Sequence, residues 1–318
     1  MVGLARHFFT GFFSGLVWVM GMSGAQAQAA REQVIDPALL SQSILKIDCN
    51  LMQYPAAHDC LSRLVPSLVR RTTHYAAMQS TFLLKVELGA FGSSGSMSSV
   101  GSAFLVDRDR GYFLTAKHVL LGDRIWSTVF PATHSFADLE TAIEDHITSS
   151  GNVKITLQSS EDQARVSASL IALDRNTDLA LIAVNDINAF AVANFPALFK
   201  PLQIAPARSD CPGSFAISAI GFSQSAQVGR MEINPTIGGY ADCRLTPRTY
   251  VIGGQKYRVP LLSTAINFFP GFSGGPVLDE AYHVVGVVSG ATVAGSNKPT
   301  YNFFVPVTAV HAFLNRFR

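Results

Sequence analysis

From Thr81 to the end, the chain alternates short runs rich in β-branched, leucine and aromatic residues with breaks of Gly, Ser, Asn and Pro. TFLLKVEL, SAFLVD, YFLTA, VKITLQ, ARVSASLIALD and DLALIAV come first, and FAISAIGF, QVGRMEI, LLSTAI, HVVGVVSG and YNFFVPV follow. Strands at this spacing with no helices between them predict an all-β barrel or sandwich and argue against a parallel α/β sheet. The proline-marked stretch from Asn194 to Asp210 reads as a crossover between two β units. Helical periodicity is confined to the ends. Asp36-Pro37 starts one helix, with Leu39, Leu40, Ile44, Leu45 and Ile47 on its apolar face, and a second runs from His58 through Arg71. These make a helical N-terminal extension over 28–79, and VPVTAVHAFLNRF predicts a closing C-terminal helix over 306–317.

The first residues read differently again. Arg6 and His7 precede an apolar run from Phe8 to about Met22, followed by Ala25-Gln26-Ala27. This is the layout of a secretory signal peptide over 1–27, cleaved after Ala27 or else Ala29. An uncleaved anchor is the alternative, but the run is shorter than the ~20 residues a span needs. Export to the periplasm or the exterior is therefore expected, without stable membrane association once the segment is removed. In an oxidising compartment the four cysteines, Cys49, Cys60, Cys211 and Cys243, are expected to form disulfides. Of three possible pairings, Cys49–Cys60 with Cys211–Cys243 closes a loop within each segment. No Cys-x-x-Cys or His-x-x-x-His spacing supports a metal site. Of the 318 residues, 48% are hydrophobic and 14% charged, which excludes ordinary disorder. A net charge of +2 without a basic run leaves no footprint for a nucleic acid.

One stretch does not fit a plain strand. FFPGFSGGPVL, Phe268–Leu278, surrounds Ser273 with glycines and prolines. A serine hydroxyl is a poor nucleophile unless a base takes its proton, an acid orients that base, and backbone N–H groups face the developing oxyanion. Gly271 permits a turn that frees the N–H groups of Gly271 and Ser273 to converge, and Gly274 and Gly275 allow close approach. A candidate base, His118, follows the apolar strand in GSAFLVDRDRGYFLTAKHVL, and a candidate acid, Asp178, stands at the mouth of DLALIAV.

Gly101-Ser102-Ala103-Phe104, Leu114-Thr115-Ala116-Lys117-His118-Val119, Asp178-Leu179-Ala180-Leu181 and Gly271-Phe272-Ser273-Gly274-Gly275-Pro276 together resemble the trypsin-like serine proteases of the chymotrypsin fold. The HtrA/Deg branch is the most similar, and the order His, Asp, Ser agrees. The resemblance covers Thr81 to the end. It implies a protease domain over 80–318 with two packed six-stranded β-barrels, the first over about 80–193 and the second over about 211–305. It implies Ser273 as nucleophile, His118 as general base, Asp178 as its orienting acid, an oxyanion hole from the N–H groups of Gly271 and Ser273, and pocket walls including Asn267, Val288, Ser289 and Gly290. The substrate is then a protein or peptide and no cofactor is needed. Asp174 competes with Asp178, but it sits in the preceding turn, where Asp commonly supports backbone hydrogen bonds.

The departures are also informative. Trypsin-like zymogens carry Asp before the nucleophile to pair with a newly cut N-terminal amine, and Phe272 occupies that place. No Ile-Val-Gly-Gly start occurs, so packing of Phe268, Phe269 and Phe272 is expected to hold the oxyanion loop. No PDZ domain is expected, since the chain stops at Arg318. The polar stretch from Ser135 to Ser150 reads as a surface loop or helix. Two rivals remain. Gly271-Phe272-Ser273-Gly274-Gly275 also fits the α/β-hydrolase elbow, but strands follow where that fold needs a helix. A catalytically silent binding or scaffolding protein of the same fold is the other.

Overall fold

Antiparallel pairing of neighbouring apolar runs builds the molecule, and the computed structural model describes 76–89, 97–121, 136–149, 151–159, 165–187, 200–207, 214–224, 231–252, 255–291 and 302–318. β1 (Thr81–Leu88), β2 (Met97–Asp107), β3 (Tyr112–Thr115), β4 (Val153–Gln158), β5 (Val166–Leu173) and β6 (Ala180–Val184) form a closed barrel in the order β1-β2-β3-β6-β5-β4. The β1–β4 pairing, with Leu83 opposite Gln158, closes it. β7 (Ser214–Gln224), β8 (Met231–Ile252), β9 (Gln255–Thr264), β10 (Pro276–Leu278), β11 (Val284–Ala291) and β12 (Asn302–Pro306) form a second closed barrel in the order β10-β11-β12-β9-β8-β7. The all-β reading with two six-stranded barrels therefore holds. Closure leaves neither barrel with an open sheet edge to template aggregation.

The helices are few. α1 (Lys117–Leu120) follows β3 directly, and α2 (Phe136–Ser149) lies in the stretch expected to be a loop or helix. α2 packs on β5 and touches β9 of the second barrel. Pro306 ends β12 and caps α3 (Val307–Leu314), which continues as a 3-10 turn over Asn315–Phe317. Among the described residues no helix is long and apolar enough to cross a membrane. Residues 76–79 form a helical turn, with the Ser80 N–H donating to the Ala76 carbonyl at 3.1 Å. The rest of the predicted helical extension, the signal-like segment, Cys49, Cys60, Cys211 and the Cys243 side chain lie outside the described residues.

Several contacts join the barrels. A buried cluster runs through both, from Phe104, Phe113 and Leu181 in the first to Ile220, Val259, Leu261 and Val287 in the second. The segment 200–207 hydrogen-bonds both sheets. The Leu202 N–H donates to the Leu105 carbonyl at 2.9 Å, and the Ala205 N–H to the Val284 carbonyl at 2.9 Å. Last, α3 buries Val310 and Phe313, and the residues after it reach back to the first barrel. There Arg316 pairs with Asp174 at 3.3 Å and Arg110 donates to the Phe317 carbonyl.

Phe313 is 1% exposed, so truncation there leaves a cavity rather than a new surface. Phe313→Ala is expected to destabilise by about 3–5 kcal/mol. Thermal unfolding would show this as a fall in Tm of roughly 6–20 °C for a domain of this size.

Candidate active site

The glycines and prolines around Ser273 fold into two successive turns. In Phe269-Pro270-Gly271-Phe272 the Phe272 N–H donates to the Phe269 carbonyl at 2.9 Å, with Gly271 at φ 99°. This is a type II turn, with Pro at the position it favours and Gly where φ must be positive. In Phe272-Ser273-Gly274-Gly275 the Gly275 N–H donates to the Phe272 carbonyl at 2.8 Å, with Gly274 at φ 87°, a second turn of the same type. The N–H groups of Phe272, Gly274 and Gly275 all have backbone acceptors, Gly274 donating to Val288 at 2.8 Å. Those of Gly271 and Ser273 have none among the described residues. Phe272 is fully buried, stacked on Phe268 at 6.5 Å and edge-on to Phe269 at 5.6 Å. Aromatic packing thus stands where an ion pair would need an Asp.

His118 and Asp178 meet because β3 and β6 are paired. Thr115 lies opposite Ala180, so the chain leaving β3 runs alongside the chain entering β6. The Lys117 N–H donates to the Asp178 carbonyl at 3.2 Å, and the His118 N–H to Asp178 Oδ1 at 2.8 Å. His118 Nδ1 is 2.7 Å from Asp178 Oδ2. A carboxylate only accepts, so the proton sits on Nδ1 and Nε2 carries the lone pair. Asp178 is fully buried, whereas the His118 side chain is 25% exposed. Asp174 supports the turn instead: it accepts from Thr177, pairs with Arg316, and its carbonyl accepts the buried Lys117 ammonium at 2.6 Å. Lys117 therefore ties the His118 turn to the loop carrying Asp178.

The second barrel reaches this pair through two serines. The Ser102 N–H donates to the Ser273 carbonyl at 2.7 Å, and its hydroxyl donates to the Gly271 carbonyl at 2.8 Å while accepting the Phe222 N–H at 2.8 Å. A Cβ on Gly274 would lie 2.9 Å from the Ala116 nitrogen, which places the residue after Ser273 against the residue two before His118. Ser289 lies at a bulge, the register slipping between Val288 and Gly290. Its buried hydroxyl donates to Asp178 Oδ2, the third hydrogen bond on that carboxylate.

Ser289, expected on a pocket wall, thus turns its hydroxyl to Asp178. Of the other expected wall residues, Val288 is 1% exposed and packs into the second-barrel core, Gly290 is half-buried, and Asn267 is exposed with its carbonyl accepting from Thr236 at 3.3 Å. Sequence reasoning did not single out Ser102, Lys117 or the Ser289–Asp178 bond. A polar residue inside an apolar strand was the available signal for both serines, but bulges and inter-barrel contacts have no local signature. Among the described residues no group of three His, Cys, Asp or Glu stands together as a metal site.

A family profile described as a trypsin-like peptidase domain matches residues 101–287, a span holding His118, Asp178 and Ser273. Among solved structures, the chain is similar to the active form of the Rv3671c protease from M. tuberculosis, at 17% identity and TM-score 0.50 over 79% of this chain and 86% of that one. The inactive form of Rv3671c protease matches at 16% identity and TM-score 0.48, over 79% of this chain and 95% of that one. No curated protein matches.

Gly274 is the position where the double turn is most exposed to test. Besides its φ of 87°, an added Cβ would overlap the Ser102 carbonyl and the Thr115 hydroxyl. Gly274→Ala is expected to destabilise by at least about 2 kcal/mol in denaturant unfolding. An unchanged midpoint would mean that the turn relaxes without consequence.

Proposed function

The chain belongs to the trypsin-like peptidase family, and on that footing we propose that it is an exported serine endopeptidase in which Ser273, His118 and Asp178 act as a catalytic triad. The observation that carries the reading is the hydrogen-bonding of Asp178. Its carboxylate takes the His118 main chain, the His118 ring and the Ser289 hydroxyl of the other barrel, an arrangement that fixes the tautomer and orientation of one imidazole. A carboxylate buried merely for packing would not need a partly exposed histidine as its partner.

In this mechanism the Ser273 hydroxyl attacks a peptide carbonyl while His118 Nε2 takes its proton. The carbonyl oxygen gains negative charge and is met by the N–H groups of Gly271 and Ser273, the two in the double turn without acceptors among the described residues. His118 then protonates the leaving amine, and the acyl-enzyme is hydrolysed by the same steps with water as nucleophile. Asp178 stays a carboxylate throughout and balances the imidazolium. No cofactor enters. The charged, apolar and small-residue order of 1–27 supports export to the periplasm or the exterior, where disulfides among the four cysteines would be stable.

Two variants test the reading. Ser273→Ala should abolish covalent labelling by a fluorophosphonate and lower kcat for peptide cleavage on the order of 10⁶-fold. Asp178→Asn should keep the fold but stabilise the wrong tautomer of His118, lowering kcat on the order of 10⁴-fold. A folded wild-type protein that takes no label would instead be a silent binding relative.

A further inference from the structure

β12 reads Asn302-Phe303-Phe304-Val305-Pro306, and all five residues are buried. Asn302, at 1% exposure, is the one polar side chain among them. Strand alternation puts it on the face of Phe304, which packs with Ile266, Phe268, Phe272 and Val288 beneath the double turn. Its neighbours across the sheet are Ala291 of β11, two residues after Ser289, and Thr264 of β9. Asn302 therefore sits in the angle between the ends of three strands and the segment leading to Ser273.

The amide has a fixed orientation. The Phe268 N–H donates to Asn302 Oδ1 at 3.2 Å, so the oxygen faces the main chain five residues before the nucleophile and Nδ2 faces away from it. Nδ2 is buried and has no hydrogen-bond acceptor among the described residues. An unsatisfied buried donor is costly, and such a group in a native protein calls for an explanation. Capping Phe268 uses only the amide oxygen and leaves the donor unaccounted for.

We infer that the Asn302 amide is a specificity-determining group: its free N–H selects a substrate whose residue on the acyl side of the scissile bond ends in a carbonyl or carboxylate oxygen, glutamine or glutamate. The inference rests on the endopeptidase reading. With the scissile carbonyl over the N–H groups of Gly271 and Ser273, that residue's side chain would enter between the flank of exposed Asn267 and Phe269 and the Gly290 end of β11. Gly290 offers no side chain to obstruct it. Nδ2 lies below the surface, so the side chain has to be long enough to carry its acceptor inward, parting the flank as it enters. An apolar side chain of the same length would leave the donor unmet in the transition state, the situation in which a site rejects an analogue lacking the matching group.

The experiment is a set of fluorogenic peptides differing only at that residue, with Gln, Glu, Met, Leu or Lys, run alongside fluorophosphonate labelling. Gln or Glu should exceed Met, similar in length but without the acceptor, by on the order of 10- to 100-fold in kcat/KM. The relative rates of Gln and Glu report which acceptor is preferred. Asn302→Asp keeps an oxygen for Phe268 and exchanges the donor for an acceptor, so its preference should move towards Lys, a change that general loss of structure would not produce. Wild-type enzyme that takes the label but cleaves after Met or Leu as fast as after Gln and Glu would overturn the assignment and leave the protease intact. Absence of label on the wild type would remove both.

Discussion

Ser102 makes the contact on which the site depends. A single residue of the first barrel bonds the Ser273 carbonyl, the Gly271 carbonyl and the Phe222 N–H of the second, all at 2.7–2.8 Å. Those bonds grip the main chain on both sides of Phe272, in the two turns that set the Gly271 and Ser273 N–H groups. Ser289 makes the reciprocal contact by donating to Asp178. The candidate residues are divided between the barrels, so the energy that docks the barrels also places those residues. That energy comes mainly from the apolar cluster crossing the interface; the hydrogen bonds add direction, at roughly 0.5–1.5 kcal/mol each.

The segment carrying Ser273 is held without a charge. Phe272 packs between Phe268 and Phe269 at a place where an ion pair with a new N-terminus is the zymogen solution. Ring packing needs no newly cut amine, and the Ser102 bonds hold the turns on either side of Phe272. Phe268 does a second task through its backbone, since its N–H orients the Asn302 amide. The same aromatic segment therefore sets both the turn geometry and the polarity of the space beneath it.

Much of this was legible in the sequence because it is local. TFLLKVEL became β1 and VKITLQ became β4 residue for residue, since buried β-branched runs bounded by turn residues leave few alternatives. His118 and Asp178, which pair in the structure, and Ser273 were read as candidates from their short flanking motifs. The 22-residue β8 was not foreseen beyond its first residues, because Pro235, Pro247 and Gly238-Gly239 read as breaks. The neighbouring strands β7 and β9 override that local signal by pairing along its length. The Ser289–Asp178 bond was not read from the sequence, because a one-residue bulge that re-aims a side chain leaves no trace in a strand pattern. Asn302 was passed over within an apolar run, since its partner lies 34 residues away in sequence.

The most direct measurement is the rate at which a fluorophosphonate phosphonylates Ser273, with loss of fluoride, in Ser102→Ala compared with wild type, with circular dichroism confirming that the β structure is retained. The substitution touches none of the reacting groups; it strands the Phe222 N–H and frees the Gly271 carbonyl. If inter-barrel clamping sets the turn that carries Ser273, labelling slows by on the order of 10-fold or more, the loss of one or two hydrogen bonds. An unchanged rate in a folded variant would show that the second barrel shapes the site alone, contrary to this account.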